Sequence, residues 1–405
     1  MPAGRDGNTV RRMSTSTSAA RVGTGDRLFT GSFVLLTAAE LAYFTAAGIA
    51  IYALPLFVTG PVGSDIAGAG IAFGAFAVSA LLLRPFAGRL SDTWGRRPLL
   101  ITGAVVCAVS MTLTAHAETL TAVVTLRLVL GVAEAAFFVA AIAALADLAP
   151  QSRIGEAMSI NSLGLYLGLA FGPPLGEVLV KTAGFTAAWF AAGALSMIAA
   201  IVVLPLGETR SPQTDRGAPA PLIHWATVPL AAGFFTSVVA IGGFLAFAAL
   251  HADAVGLPNP SIPLITYGIV VVVCRVLFAK VPDRVPALPL GASAVGIIAA
   301  GLIMTAVWAT PVGMLAAAVM LGVGVAFSTP AFFTAIFTTT KPSERGAASG
   351  TASAFLDLGI GGGPIMLGFV AQSAGIPWAF GVGVAVAAMG SIWTLSLTRT
   401  HRGSP

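Results

Sequence analysis

Residues 88–100 read GRLSDTWGRRPLL, placing Arg89, Asp92, Arg96 and Arg97 together in a chain that is only 9% charged. On either side lie long apolar runs, 66–87 before the stretch and 99–116 after it. With 405 residues and 57% apolar side chains, the chain has far more apolar surface than an aqueous core could bury. Lipid is therefore the solvent for most of it, and the charged stretch reads as a connection between two membrane helices.

Crossing a bilayer takes about 20 apolar residues in a helix. The pattern predicts twelve such spans, at 29–58, 66–87, 99–116, 119–148, 157–180, 184–206, 225–250, 261–280, 286–309, 311–338, 347–372 and 377–398. Residues 1–27 are polar, basic and Ser/Thr-rich, as a disordered tail would be. Residues 208–224 form a Pro-rich linker between a first bundle, 28–207, and a second, 225–398, and 399–405 form a short tail. Lys and Arg are retained on the cytoplasmic side of membrane proteins. With both termini cytoplasmic, all of the twenty-one basic residues except Lys181 and Arg127 fall at that side. The net charge of +5 thus reports orientation, and no nucleic-acid partner is expected. Cys107 and Cys274 both sit in predicted spans, where they read as small apolar packing residues.

An offset of 191 residues superimposes the halves. It carries Arg84, Arg89 and Asp92 onto Arg275, Lys280 and Asp283, and Gly131 onto Gly322. It also carries Gly168 onto Gly359, Gly172-Pro173 onto Gly363-Pro364, and Ala183-Gly184 onto Ala374-Gly375. Two six-helix halves of common origin explain matches at a single offset, a plan met repeatedly in secondary transporters.

At this point GRLSDTWGRR resembles the G-x-x-x-D-x-x-G-R-[KR] signature of the major facilitator superfamily, with Gly88, Asp92, Gly95, Arg96 and Arg97 at the signature positions. GLYLGLAFGPPLGE in span five resembles the glycine-proline motif of that family's drug/proton antiporters, through Gly168, Gly172, Pro173 and Gly176. The resemblance implies an all-α membrane protein of twelve helices in two pseudo-symmetric six-helix bundles. It further implies that the loop latches the halves together when the pore opens outward, and Asp147 is the expected partner of its arginines. Gly164, Gly168, Gly172 and Gly176 recur every four residues and line one helix face, admitting a neighbouring backbone.

Charges inside the membrane that the repeat does not share point to function. Glu40, Arg127 and Glu134 fall on Ala231, Ala318 and Val325, and Asp357 on Tyr166. Spans one, four, seven and ten line the cavity of the resembled family, which allows a Glu40–Arg127 pair, with Glu40 as main proton-coupling carboxylate and Glu134 and Asp357 as runners-up. Tyr43, Phe44, Phe137, Phe138, Phe332 and Phe333 are candidate cavity aromatics, whereas Glu177 and His251 are expected to be solvated near the outer ends of their spans.

The sequence thus predicts a monomeric, multi-pass plasma (inner) membrane transporter that exports a small organic molecule, a drug-like compound or secondary metabolite, by proton antiport. The alternative is a proton-coupled uptake symporter for a nutrient or organic anion, with Arg127 binding a substrate carboxylate. No cofactor or metal is expected beyond coupling to the proton gradient. An enzyme is disfavoured because no metal cluster, phosphate loop or nucleophile elbow emerges, and His116, His224, His251 and His401 are scattered.

Overall fold

The computed structural model describes residues 28–150, 154–209, 223–278, 280–341 and 344–402. The expected tail at 1–27, linker residues 210–222 and residues 403–405 lie outside them.

Every long element is a helix. They are α1 (Gly31–Thr59), α2 (Ile66–Trp94), α3 (Arg96–Thr114) and α4 (Leu120–Leu148), then a continuous stretch, Ile154–Val203, broken at Gly184 into α5 (154–183) and α6 (185–203). The second half holds α7 (Val228–Ala254), α8 (Ile262–Leu277), α9 (Ala287–Val307), α10 (Pro311–Thr339), α11 (Arg345–Ala374) and α12 (Ile376–Arg402). At about 1.5 Å per residue, the 29 residues of α1, α2, α4 and α10 are longer than a ~30 Å hydrocarbon core requires. Their outer faces expose side chains such as Leu82, Phe86, Leu277 and Val307, at 62–80%, which only lipid could solvate.

The halves repeat one another in detail. Thr119 and Thr310, 191 apart, each accept a backbone N–H through the side chain at the start of α4 and α10. Gly184 and Gly375, again 191 apart, have φ of 82° and 96° and break the chain between α5 and α6 and between α11 and α12. Within the first half, Gly168 and Gly172 pack against the α1 backbone: a Cβ at Gly172 would fall 2.5 Å from Gly48 Cα. Gly164 and Gly176 face Thr37 and Ile49 of the same helix at 3.2–3.4 Å. In the second half Gly359 and Gly363 face Val238 and Val239 of α7.

The copies part at the end of their second helix. α2 runs on to Trp94, past the expected 87, so Gly88 is a helical residue rather than part of the turn; Gly95, at φ 109°, makes the turn alone. Its equivalent α8 stops at Leu277, before the expected 280, and a single turn, Val281–Arg284, follows. Pro282 and Pro286 lie in this copy, and proline cannot supply the backbone N–H that continues a helix. α12 runs on to Arg402, into the segment 399–405 expected as a short tail.

Between the halves, α2 meets α11 and α5 meets α8. At the face away from the basic loops the first of these seams is tight, for a Cβ at Gly70 would strike the Pro364 carbonyl and one at Gly74 the Gly361 carbonyl. Nearer the basic face, a Cβ at Gly88 of α2 or Gly350 of α11 would meet nothing within 4 Å.

Candidate functional site

The seams enclose a cavity of about 300 Å³ between the halves. Its wall is mainly apolar and aromatic, with Phe44, Phe73, Phe76 and Phe138 from one half and Phe234 and Tyr267 from the other. Four charged side chains break that wall: Arg84, Arg127, Glu134 and Asp357.

Three of the four form one cluster. Arg84 on α2 lies 3.2 Å from Glu134 on α4, and its Nη2 donates to Asp357 Oδ1 on α11 at 2.8 Å. Its Nε lies 2.5 Å from the other oxygen of Asp357, and its guanidinium covers the Phe138 ring at 4.8 Å. One cation therefore holds two carboxylates, one from each half, and Asp357 is only 2% exposed. Buried ions persist where partners and hydrogen bonds offset their lost hydration.

Arg127 stands apart. It is 7% exposed, donates from Nε to the Ala72 carbonyl at 3.3 Å and lies 4.9 Å over the Phe76 ring. Among the described residues no carboxylate lies within ion-pair distance of it. The expected Glu40–Arg127 pair is not formed. α1 turns Glu40 towards α5, where Asn161 Nδ2 donates to its carboxylate at 2.6 Å, and Glu40 stays outside the cavity wall. Tyr43, one turn along α1, does line the cavity, stacked 4.1 Å from Phe137. Phe44 and Phe138 line it too, whereas Phe137 is fully buried and Phe332 packs beside Gly233.

A family model for the Major Facilitator Superfamily matches residues 36–342, well over half of the sequence. The chain belongs to the major facilitator superfamily. Its relatives include an uncharacterised transporter of this type from Salmonella typhimurium, 28% identical over 377 residues, covering 90% of this chain and 96% of the relative. Another, from Burkholderia pseudomallei, is 28% identical over 375 residues, covering 86% and 88%. Among solved structures, the nucleoside transporter NupG superimposes with a TM-score of 0.73 at 14% identity, over 90% of this chain and 99% of that one. The human organic anion transporter MFSD10 gives 0.69 at 16%, with the same coverage. A bacterial homologue of the human lysosomal transporter Spinster, inward-facing and unoccupied, gives 0.73 at 14%, over 91% and 96%. At these identities the likeness shows the fold.

In this major facilitator the signature residues are joined within the first half. Arg96 donates from Nε to Asp147 at 3.2 Å, the partner expected from sequence, and from Nη1 to Asp92 at 2.6 Å. Arg97 donates to the Leu204 carbonyl at 2.5 Å. Glu208, just after α6, accepts the backbone N–H groups of Arg96 and Arg97 at 2.9 and 3.3 Å, placing a negative charge at the positive end of α3.

Two residues expected to be solvated are buried. Glu177, 3% exposed, accepts the Ser261 N–H at the start of α8 at 2.8 Å, and Lys181 lies 2.6 Å from its other oxygen. His251, also 3% exposed, bonds the Thr305 carbonyl at 3.2 Å and meets Phe380 edge-on. Sequence also missed Arg84, Asn161 and Glu208. The repeat preserves Arg84 as Arg275, so the unshared charges draw attention away from it, and the other two carry no signal beyond their polarity.

Proposed function

We propose that this major facilitator exports a small amphipathic organic molecule in exchange for protons. The basic face is cytoplasmic by loop charge, so with the far face closed the cavity would exchange with the cytoplasm, the side from which an exporter loads. The single observation that carries proton coupling is the sharing of Arg84 by Glu134 and Asp357 within the cavity. With both carboxylates ionised the cluster holds one surplus negative charge. A proton cancels that charge and removes one of Arg84's ionic partners, weakening a bridge that joins the halves. Protonation and rocking are thereby linked at the place where a substrate would lie. The aromatic wall suits an apolar body, and the charged groups suit a polar end.

Inverted membrane vesicles with an acid-inside gradient test the proposal. A transported compound should dissipate the gradient with the wild-type protein and fail to do so with Asp357→Asn. Silence across broad chemistry would count against export. Glu40→Gln in the same assay separates the cluster from the more remote carboxylate: unchanged coupling assigns the proton to Glu134 and Asp357, whereas lost coupling assigns Glu40 a share.

One observation favours a second reading, proton-coupled uptake of an organic anion. Arg127 faces the cavity with no carboxylate partner among the described residues, and a guanidinium presents paired donors that match a substrate carboxylate. Proteoliposomes given an inward proton gradient distinguish the two, since a symporter would concentrate a labelled carboxylate that an antiporter would expel.

A further inference from the structure

The two seams between the halves are built on the same pair of sequence positions. On one, Arg84 of α2 binds Asp357 of α11. Adding 191 to 84 gives 275, and adding it to 166 gives 357. On the other seam Arg275 of α8 donates from Nη2 to the Tyr166 hydroxyl of α5 at 3.0 Å, its guanidinium 4.3 Å over the same ring. The fold thus uses one arginine clasp twice and changes only its partner, a carboxylate at one seam and a phenol at the other.

The difference is chemical. A carboxylate is charged or neutral according to its proton, whereas a phenol accepts a hydrogen bond without carrying charge where carboxylates exchange protons. Asp357 faces Arg84 from α2 and Glu134 from α4, and α7 meets this stretch of α11 through Phe235, Val238 and Val239. Tyr166 faces Arg275 from α8, with Tyr267 of the same helix packed on Phe244 of α7, while Glu40 of α1 is engaged by Asn161, more than one turn away on α5. At the far face, remote from this clasp, the α5–α8 seam is fastened again, by the Glu177 carboxylate accepting the Ser261 N–H at 2.8 Å and by Lys181 donating to the Pro258 carbonyl at 2.6 Å and Asn259 Oδ1 at 3.0 Å.

We infer that Tyr166 and Arg275 are positioning residues forming a proton-indifferent counterpart to the Arg84–Asp357 clasp, so that at the depth of the cavity protons act on the halves through the α2–α11 seam alone. This rests on the reading of Asp357 and Glu134 as the proton carriers. A protonated Asp357 offers Arg84 a neutral oxygen, as Tyr166 always offers Arg275, and the two seams then become alike. Charge on Asp357 makes them unequal and biases which face stays closed.

The test measures the equilibrium between far-face-closed and basic-face-closed forms of the full-length protein in nanodiscs against pH. Spin labels at Phe86→Cys of α2 and Gly350→Cys of α11 read the distance across the basic face, since both positions are exposed and the native Cys107 and Cys274 are buried. Tyr166→Asp should install a second responsive seam and raise the steepness of the pH dependence by about one linked proton. Tyr166→Phe should move the population while leaving the steepness as in wild type. Unchanged steepness in a folded Tyr166→Asp protein overturns the inference. Should that variant fail to fold, Asp357→Tyr decides: the inference requires the steepness to fall by about one proton, and a wild-type profile overturns it. A Glu134→Gln/Asp357→Asn protein that kept the full wild-type pH response would sink the proton reading itself, and this inference with it. Loss of the response there, combined with an unaltered slope in Tyr166→Asp, would sink this inference alone.

Discussion

Arg84 is the residue on which the cavity's charge balance turns. Removing it by Arg84→Ala leaves Glu134 and Asp357 facing each other without their cation, and stranding buried charge in this way costs about 3–5 kcal/mol. A lower melting temperature in detergent is the expected result, with part of the loss recovered in Arg84→Ala/Asp357→Asn because one stranded charge is then gone. Additive losses in that cycle would mean the two side chains do not interact. Arg127 should behave differently. It has a carbonyl and a ring for company but no carboxylate among the described residues, so Arg127→Met should leave the melting temperature unchanged or raise it while impairing transport. The sequence singled out Arg127, Glu134 and Asp357 because the repeat lacks them, but it hid Arg84, whose twin at Arg275 made it look like scaffold. The supposed partner of Glu40 was wrong for a related reason. Helix periodicity tells how far along the membrane a side chain lies, but not which neighbour its face meets, and Asn161 bears no charge to draw attention.

At the scale of elements, glycines decide how closely the helices approach and where they break. Gly184 and Gly375 have positive φ with ψ of 175° and 158°, a region open essentially to glycine alone, and an L side chain there costs about 1–3 kcal/mol. Gly184→Ala and Gly375→Ala should therefore destabilise by similar amounts in thermal unfolding, as the repeat requires. Within α5, Gly172→Leu should cost at least the 1–3 kcal/mol typical of overpacking, because its Cβ would already press on the α1 backbone at 2.5 Å. Gly88→Ala, with open space around it inside α2, should instead leave stability unchanged or raise it by up to about 1 kcal/mol. Spans, halves and glycine faces were legible in the sequence because apolar length and four-residue spacing are local patterns. The ends of α2 and α8 were less so, since the polar residues of GRLSDTW continue a helix without lipid around it, and Pro282 and Pro286 end its twin early.

For the whole molecule the question is what keeps the far face shut. The backbones of α2 and α11 touch there, and the Ile66 N–H donates to Gln372 at 3.1 Å. On the other seam Glu177 accepts from the start of α8, while Lys181 joins that carboxylate to the carbonyl of Pro258 and the amide of Asn259. Sequence placed Glu177 at a wet helix end because depth along one helix says nothing of a second half folding over it. The enclosed Glu177 carboxylate and the Lys181 ammonium make contacts across the halves, and opening of the far face would break them. An interaction made in one state alone biases the equilibrium by its full free energy. If the Lys181 contacts contribute about 1–2 kcal/mol, Lys181→Met should raise the open-to-closed ratio at the far face roughly 5- to 30-fold. A cysteine at Tyr52, whose side chain is buried on α1 in the far-face-closed form, should then react faster with a membrane-impermeant thiol reagent added outside. Glu177→Gln should act in the same direction, since the amide can still accept from Ser261 but no longer holds the ammonium by charge. Labelling rates equal to wild type in both variants would show that the glycine seam of α2 and α11 closes the far face by itself.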